Sequence, residues 1–308
     1  MKWKKLGQLY VPRCNHPKLI THAANPLPIP LGGDRYRILF SGRDHLNRSS
    51  VGWVEVNIET LQVTDHCDQP LFECGPEGSF FAAGVSLGNL YAVNGRQYVP
   101  FMGWQTEPGE HWRGDVGLLE LCDDGSLVLA LDQPILAQSE VDRISLSYPW
   151  VEQSVAGSYS MFYGSTLTWD TGAGEMHHVI NIADSNDGFE WHARGQTVPS
   201  QLGLAQAFSR PSVMSDRNGD EHMWFSYRAG AGDKYRIGYA FKSRGKTWDL
   251  RLGGAVLEPS STGWDSEMTE YPFVFRHSNR VLMLYNGNSY GLTGFGLAEL
   301  EDADHFFN

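Results

Sequence analysis

The chain has few cysteines, little basic charge and no long apolar run, and each lack removes a class of protein. Cys14, Cys67, Cys74 and Cys122 form no C-x-x-C pair and are too sparse for a disulfide framework in 308 residues. They read as packing residues, with a Cys67–Cys74 bridge across a loop as the weaker alternative. A formal net charge of -12 leaves no basic stripe to neutralise phosphates, so nucleic acid and anionic membranes are poor partners and a small neutral or polar ligand is the better one. No apolar stretch is long enough to span a bilayer, and the basic start over residues 1–10 lacks the apolar region of a signal peptide. The expectation is a soluble, cytoplasmic protein.

Other signatures are missing too. No H-x-E or H-E-x-x-H spacing occurs, and His177 and His178, as strand neighbours, point to opposite faces, so only one of them can serve a site. No metal and no cofactor is expected. Gly32-Gly33 and the run over residues 291–296 sit at β turns with no following helix, which excludes a phosphate loop. No long segment of 3.6-residue period is found. Aromatics at 12%, 34 glycines and short apolar runs broken by Gly, Asp and Asn make the chain all-β instead.

What is present is repetition. A polar residue and a proline precede a short apolar strand at Pro26, Pro149, Pro211 and Pro272, and Ala83-Gly84-Val85-Ser86 fills the same place in the second copy. The spacing is about 60 residues, longer than a kelch repeat. An aromatic-rich strand follows in each copy, over 36–44, 97–105, 158–165, 222–228 and 280–288, and then a small-residue strand over 51–55, 116–120, 179–183, 237–240 and 295–298. Asp124-Gly125, Asp187-Gly188 and Arg244-Gly245 supply tight turns. A fourth strand is readable after the first four copies, for example over 127–131 and 255–257, but nothing follows the fifth. The missing strand is Leu6-Gly7-Gln8-Leu9-Tyr10, which pairs with the last sheet and closes a ring. The reading is a single five-bladed β-propeller of four-stranded antiparallel blades over residues 1–308, with a sandwich or two stacked β domains as the alternative.

In a propeller the first strand of each blade lines the channel, so the residues just before those strands converge at one mouth. That brings together Asn25, the Ala82-Ala83 pair, Ser147 with Tyr148, Arg210, and Glu270 with Tyr271, with His22 close behind the rim. The most chemically loaded stretch, residues 263–274, holds Asp265, Glu267 and Glu270 directly before an apolar strand. Arg43-Asp44 ends the second strand of the first blade, a neighbour of the fifth in a closed ring. If Asp44 faces a fifth-blade acid, like charge raises one pKa and makes an acid and base pair. Against this, Arg43-Asp44 also reads as an edge ion pair and Asp265 as a turn cap. Arg210 is available either as the partner of Glu270 or as an anchor for a ligand carboxylate, phosphate or hydroxyl. Trp104, Trp169, Trp224 and Tyr290 are stacking candidates, although most of the ten tryptophans must pack the blades.

The repeat count, the prolines and the aromatic second strands resemble the five-bladed propeller glycoside hydrolases, the clan of arabinanases, β-xylosidases, invertases and levansucrases. Ser209-Arg210-Pro211, Tyr235-Arg236-Ile237-Gly238-Tyr239-Ala240, Gly263-Trp264-Asp265-Ser266-Glu267-Met268 and the run from Tyr285 through Asn286, Gly287 and Asn288 to Gly294 are similar to a glycosidase-like group of surface-polysaccharide biosynthesis proteins, most clearly over residues 205–298. The resemblance implies three catalytic carboxylates, yet the matching positions hold Asn25, Ala82 with Ala83, and Ser147 with Tyr148. Amide, methyl and hydroxyl groups cannot exchange the protons that glycoside hydrolysis needs. The expectation is therefore a glycosidase-like enzyme for a saccharide or sugar-bearing small molecule with relocated acids. Asp44, Glu270, Glu267 and Asp265 are its catalytic candidates, and His22, Asn25, Arg43, Tyr148, Arg210, Tyr271, Asn286 and Asn288 its ligand contacts. The alternatives are a catalytically silent carbohydrate-binding propeller and a non-hydrolytic tailoring enzyme of a biosynthetic pathway.

Overall fold

The computed structural model describes residues 1–106, 109–172, 175–230, 232–253 and 256–307. Among these the regular secondary structure is almost all strand. The N-terminal β1 (Lys2–Tyr10) is followed by β2 (Thr21–Gly32), β3 (Arg35–Arg43), β4 (Ser49–Asn57) and β5 (Gln62–His66). Next come β6 (Gly84–Leu87), β7 (Tyr91–Val93), β8 (Arg96–Gln105), β9 (Arg113–Leu121) and β10 (Leu127–Leu129), then β11 (Leu146–Gln153), β12 (Tyr159–Thr168), β13 (His177–Ser185) and β14 (His192–Gln196). The chain ends with β15 (Ala207–Ser215), β16 (Glu221–Arg228), β17 (Arg236–Lys242), β18 (Asp249–Leu250), β19 (Glu270–His277), β20 (Arg280–Asn286), the short α1 (Asn288–Gly291) and β21 (Phe295–Glu301).

Within each run, consecutive strands pair antiparallel. β4 and β6, and β13 and β15, meet in single parallel ladder pairs, Ser49 with Gly84 and His178 with Ala207. β1 pairs antiparallel with β21 from Lys2–Glu301 to Tyr10–Phe295, so the strand expected at Leu6–Tyr10 starts four residues earlier and completes the sheet of β19 to β21. The outer strand of β15 to β18 is Asp249–Leu250; of the expected strand over 255–257, Ala255 lies outside the described residues and Leu257 is buried without strand pairing. The middle strands are buried on both faces, as in Val281, Leu282, Met283, Leu284 and Tyr285 of β20. A strand covered on both faces carries apolar side chains on both. All four cysteines are free, and Cys67 is buried in the packing. Among the described residues no helix is long and apolar enough to cross a membrane.

The innermost strands share one irregularity. In β2, β11, β15 and β19 the register with the next strand slips between Ala24 and Leu27, Ser147 and Trp150, Ser209 and Ser212, and Glu270 and Phe273. The residue in each slip is the one before proline, and its φ is positive: 55° at Asn25, 42° at Tyr148, 48° at Arg210 and 51° at Tyr271. Proline donates no ladder hydrogen bond and is tolerated at such a bulge, while a left-handed residue before proline is strained. Strain repeated at four equivalent points is held by the surrounding packing, and at three of them it aims the side chain, Asn25, Tyr148 or Tyr271, at one mouth. The second run lacks the proline. There the inner strand breaks between β6 and β7 at Gly88, where an added Cβ would lie 2.3 Å from the Pro149 carbonyl and 2.8 Å from that of Pro100. Both neighbours are backbone, so Gly88→Ala is expected to destabilise the fold by about 1–3 kcal/mol, the usual cost of overpacking, read by chemical denaturation.

Candidate functional site

At the end where these inner strands begin lies a cavity of about 400 Å³. Its floor is made by the residues at or before the bulges, Ala24, Asn25, Ser86, Tyr148, Ser209 and Tyr271. Its wall carries Trp104 at the end of β8, Trp112 before β9, Trp169 after β12, and Tyr235 and Tyr290. His111 stacks on Trp169 with ring centroids 4.7 Å apart, and Trp112 meets the same ring edge-on at 4.9 Å. An aromatic wall over a polar floor suits a ligand with apolar faces and polar edges, which describes a pyranose or furanose ring. In the second run it is Ser86, not Ala82 or Ala83, that reaches the cavity. Without the proline marker, the register there could not be read from sequence.

Glu270 sits at the same rank of the inner strand, paired with Asn286, and is fully buried. Neither carboxylate oxygen has a hydrogen-bond partner of good geometry. Burial pushes this carboxyl well above the usual carboxylate range, and the Tyr290 amide, Arg43 and Arg228 pull it back only in part. Tyr148, Tyr235, Tyr271 and Tyr290 all feel its charge and all line the cavity. The hydroxyls of Tyr148 and Tyr271 are 3.1 Å apart. Glu270 therefore lies immediately behind a tyrosine screen at the cavity floor.

Two further groups come from loops and strand ends. Glu175, just before β13, is buried in the cavity wall and accepts from Arg228 Nη2 at 2.7 Å and from the Met176 amide at 2.9 Å through Oε1. Arg228 packs over the Tyr235 ring at 5.0 Å and leaves its Nε without a partner. His178 also lines the cavity, while its strand neighbour His177 does not. Its Nε2 lies 2.6 Å from Ser147 Oγ and its Nδ1 2.7 Å from Thr166 Oγ1, so a neutral ring donates to one hydroxyl and accepts from the other. Burial, aided by His177, lowers its pKa to about 3. An unfolded histidine takes up a proton below its ordinary value near 6.5 whereas this one does not, so its contribution to stability is present above that pH and is lost as pH falls toward the folded value. Histidine side-chain NMR should show one ring that does not titrate between about pH 8 and 4.

The remaining candidates are placed elsewhere. Asp44 does not face a fifth-run acid: it is held by the Arg48 guanidinium at 2.8 Å and by the amides of Leu46 and Arg48. Burial raises its pKa, but these Arg48 and Leu46 bonds win and lower it. Asp265 is buried between Lys5 at 2.6 Å and the Tyr285 hydroxyl at 3.0 Å, tying β1 to the loop before β19. Glu267 is exposed, with Lys234 at 3.8 Å. None of these three acids lines the cavity. Arg210 neither pairs with Glu270 nor reaches the cavity; it donates to the carbonyls of Leu87 and Pro26 and bridges two inner strands. Asn286 donates to the carbonyls of Ala23 and Gly294 at 2.7 and 2.9 Å and accepts from the Asn25 amide at 3.0 Å. Asn288 accepts from the amides of Glu267 and Met268 and holds the loop before β19. His22 bonds Thr21 at 2.9 Å behind the rim, and burial with Arg43 nearby lowers its pKa to about 4. Asn25, Arg43, Tyr148 and Tyr271 do line the cavity. Glu175 and Arg228 were missed; the only signal was the acidic turn over 170–175.

No family model matches the chain. Two Mycobacterium tuberculosis proteins, both described as uncharacterized and designated MT1551 and Rv1502, are 38% identical to it over 304 residues, covering 98% of this chain and all of theirs. Among solved structures, a glycoside hydrolase superposes with a TM-score of 0.73 at 16% identity, over 96% of this chain and 91% of that one. An endo-arabinase from Bacteroides thetaiotaomicron gives 0.64 at 13% identity, over 94% and 98%. A thermostable family-43 glycoside hydrolase gives 0.66 at 15%, over 93% and 92%. The fold is that of the propeller glycoside hydrolases.

Proposed function

The chain belongs to one family with the uncharacterized Mycobacterium tuberculosis proteins MT1551 and Rv1502, and from its propeller glycoside hydrolase fold and the geometry of the cavity we propose that it is a glycosidase-like enzyme of non-standard carboxylate placement. Its saccharide lies on the aromatic wall. Glu270, whose charged form burial disfavours, is the proton source for the leaving oxygen, a role that needs a tyrosine hydroxyl of the screen to rotate into hydrogen bonding with it, and Glu175, paired with Arg228, is the carboxylate on the cavity side. The pairing of five successive strand runs, the last completed by β1, supports a single five-bladed ring over residues 1–308. The resemblance over residues 205–298 supports an intracellular role in surface-polysaccharide biosynthesis.

The observation that carries this reading is the buried, unpartnered carboxyl of Glu270 behind the cavity floor. A carboxyl left without a partner in a packed interior is costly, and such cost is characteristic of a group kept for chemistry. A second reading has its own observation. Because Glu270 is fully covered and Asn25, Ser86 and Ser147 stand near the mouth in place of acids, a carbohydrate-binding propeller without turnover fits the same cavity. A thermal-shift screen against aryl glycosides, oligosaccharides and nucleotide sugars, with product analysis of every stabilising compound, separates the two. A ligand consumed by the wild type supports the enzyme; ligands bound and recovered intact support the binding protein.

A further inference from the structure

We propose that the sugar taken by this cavity is a monoanion, a uronate-type saccharide, whose carboxylate pairs with Arg43. The inference rests on the saccharide reading above and narrows its substrate class.

Among the described residues three charged side chains line the cavity: Arg43, Arg228 and Glu175. Arg228 and Glu175 neutralise each other at 2.7 Å. Arg43 has only the Asn47 side-chain oxygen, at 2.8 Å, and no carboxylate within ion-pair distance among the described residues. Its sequence neighbour Asp44 is turned away and spent on Arg48. Glu270 is fully buried, does not line the cavity and makes no ion pair with Arg43, and burial disfavours its charged form. The cavity thus holds one uncompensated positive charge.

Polar atoms without partners accompany it. On the cavity-lining residues Ser209 and Asn25, 4% and 2% exposed, the buried Oγ and Oδ1 have no hydrogen-bond partner, and neither has Arg228 Nε. Buried polar atoms left open in this way are completed by a ligand that brings both acceptors and hydroxyls. A guanidinium recognises a planar carboxylate through two parallel hydrogen bonds. Charge balance decides among anions: one free positive charge matches one carboxylate, whereas a phosphate monoester brings about -1.5 to -2 into a protein whose net charge is already -12.

The test is calorimetric titration of wild type, Arg43→Gln and Arg43→Lys with methyl glucuronide and methyl galacturonide, the matched neutral methyl glucoside and galactoside, and glucose 6-phosphate. Wild type should bind at least one uronide roughly ten- to hundred-fold tighter than its neutral counterpart, the range of a charge-assisted bond. The preference should shrink with added salt and vanish in Arg43→Gln with neutral-sugar affinity retained, while Arg43→Lys restores part of it. Arg43 bonds only an exposed asparagine, so unliganded melting temperatures should stay near wild type and certify folding. Equal affinity for neutral and anionic sugars, an unchanged preference in Arg43→Gln, or tighter binding of the sugar phosphate overturns the proposal. If no sugar binds, the saccharide reading itself is overturned. Free glucuronate and citrate then serve as probes: stabilisation of wild type but not of Arg43→Gln would keep the anion site, and no stabilisation would remove it as well.

Discussion

Glu270→Gln should lose turnover and gain stability at neutral pH. The activity loss follows from removing the only proton the buried carboxyl has to give, and general acid catalysis of this kind is worth about 10²–10⁴-fold. Ligand affinity should change little, since the side chain stands behind the tyrosines and not in the cavity wall. The stability gain follows from linkage. The folded pKa of Glu270 lies well above its ordinary value of 4.5, so at neutral pH the unfolded chain releases a proton that the folded chain must keep. Its stabilising contribution is full below pH 4.5 and is lost as pH rises toward the folded pKa. Glutamine fills the same volume and has no proton to release. Thermal denaturation across pH should show Glu270→Gln melting higher at pH 7, with the difference closing toward pH 4.5; in a chain this long each kcal/mol moves Tm by about 2–4 °C. Equal melting curves at all pH values would mean the carboxyl is ionised in the fold.

Asn286→Ala should be among the most damaging single changes. The side chain is fully buried and closes three hydrogen bonds, two from β20 to β2, to the Ala23 carbonyl and from the Asn25 amide, and one to the Gly294 carbonyl just before β21. Alanine takes this partner from the Asn25 amide and the Ala23 carbonyl, while the Gly294 carbonyl keeps the Gly287 amide at 3.3 Å, and each unsatisfied buried group costs about 1–3 kcal/mol. For two such groups the sum is about 2–6 kcal/mol before water enters, enough to threaten a fold of ordinary stability. The loss should appear as a large fall in the denaturation midpoint. Asn286→Asp should also destabilise, because an ionised carboxylate cannot donate to the Ala23 and Gly294 carbonyls. If Asn286→Ala melts like wild type, the joint between first and last strand runs does not depend on this clamp.

Much of the architecture was legible because the same strand order recurs about every 60 residues with proline as a marker. Pro26, Pro149, Pro211 and Pro272 fall in β2, β11, β15 and β19, and the pairing of β1 with β21 follows from a strand missing at the end of the count. Where the proline was missing, at Gly84–Leu87, sequence reasoning chose Ala82 and Ala83 over Ser86. The site was legible where it depended on position along a strand. Asn25, Tyr148 and Tyr271 reach the cavity because the bulge before each proline aims them there. It was not legible where it depended on partners. Asp44 is taken by Arg48 and Asp265 by Lys5, 260 residues away, and nothing in the local pattern announces either pairing. Arg210 shares a rank with Tyr148 and Tyr271, but its longer side chain reaches past the mouth to the Leu87 and Pro26 carbonyls. Glu175 enters from a loop, where reach is set by tertiary packing and not by strand periodicity.

The account depends on Glu270 acting as a protonated donor, and the pH dependence of kcat tests that most directly on whichever glycoside the screen yields. A donor must hold its proton, so the wild-type rate should be level through neutral pH and fall along an alkaline limb set by the raised pKa of Glu270, and the residual rate of Glu270→Gln should lack that limb. A rate that climbs with pH through the neutral range, or an alkaline limb that survives in Glu270→Gln, would contradict the assignment.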